Sequence, residues 1–405
     1  MSNGPDVAER RILVMNGGSS SLKSAVYEVE GNTTRRRLGA SIDRIGLETS
    51  ALRVTGPAGE PVDGCEEPIP DLRQAANAWL DWLTRRGEAE AIDLVGHRIV
   101  HGGALGDRPR VLETEIVAAL RALVPLDPDH LPGELDIIEV VGGALPGRPQ
   151  VACFDTAFHW HMPDEARQYA LPRGLRDRGY VRYGFHGLSY EYLMGALRGV
   201  AGARADGCVV LAHLGSGASL AAVRGGVSVD TTMGMTPTGG IMMGTRCGDL
   251  DPGVMLRLLE DDQLDAEALR TLVNHRSGLL GVSGRSSDMQ ELLARRVEDP
   301  QAAEAVTLFC YLARKALGAL IAALGGLEVL VFSGGIGTHA PAVRAAICEP
   351  LGFAGVTIDE AANRAGAAII SRPGAPVDVR VMATDEEIVI ARQTAGGWDA
   401  HRPGV

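Results

Sequence analysis

Residues 11 to 24, RILVMNGGSSSLKS, run an apolar strand straight into a loop of glycine and serine that closes on a lysine. Small residues let backbone N–H groups approach an anion, and Lys23 adds positive charge, so the loop suits phosphate. A Walker A loop would begin at Gly17 and need a glycine just before Lys23 and Ser24, where Leu22 stands. Such a loop must also open a helix. Here the chain continues SAVYEVE, β-branched and aromatic residues among polar ones, which predicts a second strand. The loop is therefore a hairpin tip. Residues 208 to 224, CVVLAHLGSGASLAAVR, repeat the pattern about half a chain later, with Gly215-Ser216 over Gly18-Ser19 and His213 over Asn16. One Gly/Ser turn is ordinary punctuation. Two in matching settings predict a duplicated domain with one phosphate loop in each half.

At 405 residues the chain exceeds a single core, which agrees with two domains. A net charge of −12 argues against a nucleic-acid partner, but not against ATP, which needs only a local positive cleft and Mg²⁺. The six cysteines are scattered without C-x-x-C spacing and read as reduced thiols. The polar, acidic start MSNGPDVAER gives no expectation of a signal peptide, and the apolar run Leu317 to Leu324 is too short to span a bilayer. A cytoplasmic protein without membrane contact is expected.

Residues 35 to 70 read as irregular strands and proline-rich turns. A helix is predicted over 71–87, with Leu72, Ala76, Trp79 and Leu83 on one face and Gly87 as its stop. Further helices are predicted at 113–123, through ELDIIEVVGG, and at 302–324. The first domain is expected to be 1–148, closing before the strand QVACFDTAF, with the tail 385–405 returning to it; 149–384 forms the second. Strands alternating with helices make the class α/β, with mixed sheets because a hairpin opens each half.

Several residues have the character of a reactive site. Arg98 in GHRIVHGG and Arg246 in GTRCGD suit bidentate contact with carboxylate or phosphate. Asp155 sits at a strand end, where active sites of open α/β sheets collect. His186, in the turn YGFHG, has a donor for a phosphoryl oxygen, and His159 and His161 have the spacing of strand-borne metal ligands, without a third of equal quality. Glu386 and Glu387 are oxygen ligands suited to Mg²⁺ or a helix N-terminus. The segment Ser333 to Gly337 follows a strand and allows close approach of a nucleotide.

The chain resembles the acetate kinase family of acyl-phosphate-forming kinases, within the actin, sugar-kinase and heat-shock ATPase superfamily. The resemblance runs nearly end to end through NGGSSSLK, GHRIVHGG, FDTAFH, RYGFHG, HLGSGAS, GIMMGTRCGDLDPG, SGLLGVSGRSSD, VFSGGIG and TDEE, in the family's order. It implies a duplicated, two-domain actin-like ATPase fold with the active cleft between domains, and a homodimer formed through the C-terminal domain. It implies Mg²⁺, or Mn²⁺, with ATP and a short carboxylic acid as substrates. Asn16, Ser19, Ser21 and Lys23 match the first phosphate loop, and Asn16 with Glu386 the metal site. Arg98 and Arg246 match the arginines that hold acetate and the transferring phosphoryl group, Asp155 the catalytic aspartate, and His186 the transition-state histidine. His213, Gly215, Ser216 and Gly217 match the second phosphate loop, while Asp288 and Gly335, Ile336 and Gly337 match the adenosine pocket. Val100, Leu126, Phe185 and Pro237 fall where the family places the pocket for the acetate methyl.

Four segments depart from the family. Its Pro-Leu-His-Asn-Pro becomes Pro125-Leu126-Asp127-Pro128, with His130 three residues on. Ser216 replaces an asparagine, Thr338-His339 replace Glu-Asn, and Leu188-Ser189-Tyr190 replace Thr-Ser-His. Restoring histidine at Asp127 is expected to lower KM and raise the rate, and losing Arg98 or Arg246 to cost rate far more than fold. A carboxylate nucleophile is already ionised at pH 7 and needs no general base. Alternatives that stay open are a kinase for propionate, a pyrophosphate-dependent kinase, and a nucleotide-binding regulatory protein with weak ATPase activity.

Overall fold

The computed structural model describes residues 9–18 and 20–401; Ser19 lies outside the described residues. The chain divides into two compact units, Met1–Ala157 with Asp385–Val405, and Phe158–Thr384.

The first unit is built on an eight-stranded sheet. A meander of β1 (Arg10–Gly17), β2 (Ser21–Glu30), β3 (Thr33–Asp43), β4 (Ser50–Thr55) and β5 (Pro61–Glu67) supplies five antiparallel strands. The stretch read as irregular from sequence is thus regular pairing. Its exposed outer strand, β5, carries polar residues and so lacks the apolar alternation that marks a strand. Across β1 the sheet turns parallel, through β6 (Leu94–Ile99) to β8 (Gln150–Phe154), with the short β7 (Arg110–Val111) antiparallel at the far edge. Pairing of β8 with β6 corrects the expected domain boundary. The strand QVACF completes the first sheet, and the unit closes after Ala157.

Alternation along β1 sends Leu13 and Met15 into a core with helix α1 (Leu72–Arg85) and a later helix, Leu131–Ala144. Asp71 caps α1 by accepting from the Gln74 N–H at 2.8 Å. Its apolar stripe buries Ala75, Ala76, Trp79, Leu80 and Leu83. Next come α2 (Thr114–Ala122) and the helix just named, α3. The C-terminal helix Glu386–His401 packs on β1, β6 and β8. Gly96 makes that docking possible: a Cβ there would stand 2.1 Å from Thr394 Oγ1 and 2.8 Å from Ile390 Cγ2.

The second unit repeats the plan. β9 (Cys208–Leu214) and β10 (Ala218–Arg224) form the hairpin, β11 (Val227–Thr231) extends it, and β12 (Val329–Ser333) and β13 (Asp378–Val381) add parallel strands on the other side of β9. The shared order, hairpin then two parallel neighbours, is the duplication the two glycine turns predict. Helices follow as α4 (Asp164–Arg167), α5 (Arg173–Arg176), α6 (Gly187–Ala201), α7 (Pro252–Glu260), α8 (Ala266–His275), α9 (Gly278–Ser283), α10 (Met289–Arg295), α11 (Pro300–Leu324), α12 (Gly334–His339), α13 (Pro341–Cys348) and α14 (Glu360–Ala365). Helix α11, at 25 residues, is long and apolar enough to cross a membrane by length and composition, which the shorter run read from sequence is not. Its buried face, including Ala305, Phe309, Ala313 and Leu317, packs on β10, α9 and α10.

Candidate active site

In the first unit the parallel strands β1, β6 and β8 end side by side, each delivering a polar group. Asn16 and Gly17 close β1, Arg98 lies next to last on β6, and Asp155 follows β8, its N–H bonded to the Ile99 carbonyl at 3.0 Å. Register therefore places Arg98 against Asp155, fifty-seven positions away. The guanidinium donates from Nη2 to Asp155 Oδ2 at 2.6 Å, from Nε to both carboxylate oxygens at 3.2 Å, and from Nη1 to the Gly17 carbonyl at 3.0 Å. Both side chains are nearly enclosed, with 14% of Arg98 and 2% of Asp155 exposed. Burial works against the charge on Arg98, and the field and hydrogen bonds of Asp155 outweigh it, so the guanidinium stays protonated. Burial also pushes the Asp155 carboxyl up, and Arg98 pulls it back.

Three further groups surround this pair, of which sequence reasoning missed Glu134. Glu134, buried on α3, accepts the Val100 N–H with both oxygens at 3.1 and 3.2 Å. Burial pushes its carboxyl well above the ordinary range; Arg98 opposes that shift and Asp127 adds to it. The signal was present, because Glu134 interrupts the apolar stripe Leu131, Leu135 and Ile138 at helical spacing. His130 Nδ1 meets Asp127 Oδ1 at 2.8 Å, with Asp127 only 3% exposed. Asp127 Oδ2 is buried without a partner among the described residues. The carboxylate that replaces the family histidine is thus the partner of the imidazole three residues on. Val100 is buried, and Leu126 half-buried in the turn that leads to Asp127.

Asn16 sits directly opposite Lys23 in the β1–β2 hairpin, so both face the C-terminal helix. Its amide nitrogen donates to Glu386 Oε2 at 3.2 Å and to Glu387 Oε1 at 3.0 Å. Asp385 caps that helix through the Ile388 N–H at 3.0 Å and accepts from the Tyr27 hydroxyl at 3.3 Å. Burial pushes the Glu387 carboxyl up, Glu386 adds to this, and Lys23 and Asn16 counter it. Two adjacent carboxylates beside an amide form a hard oxygen donor set, and a divalent cation there would relieve their repulsion. The residues therefore fit Mg²⁺. Among the described residues no three His, Cys, Asp or Glu surround one point. In the loop itself Gly18 donates its N–H to the Ser21 carbonyl at 2.7 Å.

In the second unit the turn between β9 and β10 is closed by the Gly215 N–H on the Gly217 carbonyl at 3.0 Å. The Ser216 carbonyl accepts from Gly244 at 3.0 Å, tying this turn to the glycine-rich stretch that carries Arg246. Arg246 Nη1 donates to the carbonyl of the buried Pro237 at 3.1 Å. A Cβ at Gly217 would lie 3.3 Å from His186 Nε2 and 3.7 Å from Arg246 Nη1, so two donors converge where glycine leaves room. His186 caps α6 in the left-handed region, φ 59°, ψ 24°, a conformation that non-glycine residues hold at functional sites. Its ring stacks on His213 with centroids 4.4 Å apart.

His159 is fully buried. Nδ1 contacts Ser228 Oγ at 2.8 Å and Nε2 the Phe185 carbonyl at 3.1 Å, so it braces the Phe185–His186 turn rather than a metal, while His161 is exposed. Burial holds the His159 imidazole down at about 4. Asp288 caps α10 through the Gln290 N–H at 2.7 Å. Gly335 is exposed with open space at its Cα, Ile336 half-buried, and Gly337 buried in α12.

Comparison with known proteins adds three findings. The model of the Acetokinase family matches residues 11–392. An acetate kinase of Rhodopseudomonas palustris is 46% identical over 386 residues, 94% of this chain and 96% of that one, and one of Rhizobium meliloti 42% identical over 385 residues, 95% and 97%. The crystal structure of Porphyromonas gingivalis acetate kinase superposes with a TM-score of 0.83 at 37% identity, covering 96% of this chain and all of that one. A propionate kinase of Francisella tularensis superposes at 0.87 with 30% identity, covering 96% and 99%.

Proposed function

We propose that this chain, which belongs to the Acetokinase family, transfers the terminal phosphoryl group of ATP reversibly to acetate, giving acetyl phosphate and ADP. An acetate oxygen forms the new bond to phosphorus as the bond to the bridging oxygen of ADP breaks, and no proton need move. The task is to hold two anions in line and spread the charge they share. Arg98 orients the acid, and Asp155 holds the guanidinium in place. His186 and Arg246 donate to the phosphoryl oxygens beside Gly217; their convergence there is the observation that carries the reading. Gly18, Ser21, Lys23, His213, Gly215 and Ser216 offer donors and space to phosphates, while Asp288 and Gly335 to Gly337 border the nucleoside.

Asn16 and Glu386 would hold Mg²⁺, or Mn²⁺ through the same oxygens, and Glu387 would support them. When bound, the ion neutralises phosphate charge. Val100, Leu126, Phe185 and Pro237 supply apolar contact for the methyl group, as the family resemblance implies. Discrimination against propionate is modest, because one methylene is worth only about 0.8 kcal/mol. Hydroxylamine trapping of acyl phosphate across short acids and phosphoryl donors tests the reading. Absence of any hydroxamate at high enzyme with Mg·ATP would refute it, and product with pyrophosphate alone would reassign the donor.

We also propose that the enzyme works in the cytoplasm as a homodimer through the second unit. Helices α7 and α8 bury none of their residues within the chain, and Val254, Leu256 and Leu259 stand exposed on α7. A second copy covering them accounts for an apolar face in an acidic protein.

A further inference from the structure

Behind His186 lies a chain of hydroxyls that the residue types alone do not disclose. His186 Nδ1 meets Ser219 Oγ at 2.8 Å, and Ser219 Oγ meets the Tyr190 hydroxyl at 2.5 Å. Tyr190 and Ser219 are both fully buried, so each hydroxyl hydrogen must find its acceptor inside the protein. Two hydrogens are available for the two contacts. If the Nδ1 atom carried a proton and donated it to Ser219, one buried hydroxyl hydrogen would have no acceptor among the described residues. Only one polarity uses every hydrogen: Tyr190 donates to Ser219, and Ser219 donates to Nδ1. The ring proton then resides on Nε2, the nitrogen that faces Gly217.

We propose that Tyr190 is a positioning residue which, through Ser219, locks His186 in the Nε2–H tautomer, so that a neutral imidazole donates a hydrogen bond to the phosphoryl oxygens. The inference rests on the reading of His186 as a phosphoryl donor, and it gives the Tyr190 departure from the family pattern a function. Other side chains reinforce the geometry without deciding the proton. His159 braces the Phe185 carbonyl, and Ser189 Oγ holds the stacked His213 at Nδ1, 2.8 Å away.

The test is ¹⁵N NMR of histidine-labelled protein, with His186 assigned by difference from His186→Gln, together with steady-state kinetics. In the wild type His186 is expected to show an unprotonated Nδ1 and a protonated Nε2. In Tyr190→Phe, and independently in Ser219→Ala, the two tautomers should mix. The kcat should then fall at least about tenfold, short of the ~10⁴-fold that a fully wrong tautomer costs, with KM for Mg·ATP within about twofold. A proton on Nδ1 in the wild type overturns the proposal. So does a fall in kcat in both variants with the His186 resonances unmoved, because a packing role would give that result. Mixed tautomers in the variants alongside wild-type turnover by His186→Gln would sustain the relay and refute instead the catalytic reading of His186.

Discussion

Removing Arg98 should damage the fold as well as the reaction, and the damage should depend on pH. Arg98→Ala leaves Asp155, at 1% exposure, without the guanidinium that neutralises it. An uncompensated buried carboxylate escapes by taking a proton. From an ordinary aspartate value, protonation at pH 7 costs about 4 kcal/mol, which sets the stability loss expected there, and at pH 5 about 1.5 kcal/mol. The sign follows from proton counts. In the variant the folded state holds a proton that the unfolded chain has released, so stability falls as pH rises, by about 1.4 kcal/mol per unit. Glu134, which Arg98 also pulls down, adds to the same slope. Urea unfolding from pH 5 to 8, followed by the fluorescence of Trp79 and Trp82 in the first-unit core, measures the slope. Arg98→Ala/Asp155→Asn should flatten it. Hydroxamate formation by Arg98→Ala should fall at least ~10²-fold, the scale for losing one preorganised donor. A stability loss that does not change with pH would refute the argument, because Asp155 would then not be a charge held by Arg98. The expectation that Arg98 costs rate far more than fold is thereby revised.

Asp127→His, expected from sequence to raise activity, should instead lower kcat at least about tenfold by depriving His130 of its carboxylate, whereas Asp127→Asn keeps an acceptor and should lose less; kcat and KM for acetate decide between them. Gly96→Val should destabilise the first unit by about 1–3 kcal/mol in urea, because the added side chain meets Thr394 and Ile390. His97 and His159 are buried with imidazoles held at about 4, so the unfolded chain takes up protons that the folded one refuses. Their contribution is complete above the unfolded value near 6.5 and is lost as pH falls towards 4, by up to about 3 kcal/mol each; unfolding of His159→Gln should show a shallower acid slope. Val254→Glu/Leu256→Glu should yield a monomer by light scattering, and an unchanged mass would place the dimer contact elsewhere.

Local chemistry was enough for many of the elements, though not for the strands β3 to β5. The two hairpins, the helix capped at Asp71, and the strand–turn–helix at Ser333 each depend on neighbours within a few residues, which a sequence displays directly. The α/β class and the candidate residues of the resemblance follow from the same local runs. The pairings that give those residues their chemistry depend on sheet register and helix docking, which no local window contains. Asn16 meets Glu386 across 370 positions because the C-terminal helix seats over the bare Cα of Gly96, and Arg98 meets Asp155 because β6 and β8 run parallel in register. Glu134 and Asp127 look in sequence like a helix residue and a lost histidine. Only burial turns one into a carboxyl raised above its range and the other into the partner of His130. Tyr190 reads as a substitution within a helix, and the tertiary fold alone brings its hydroxyl to Ser219 and so decides which nitrogen of His186 carries the proton.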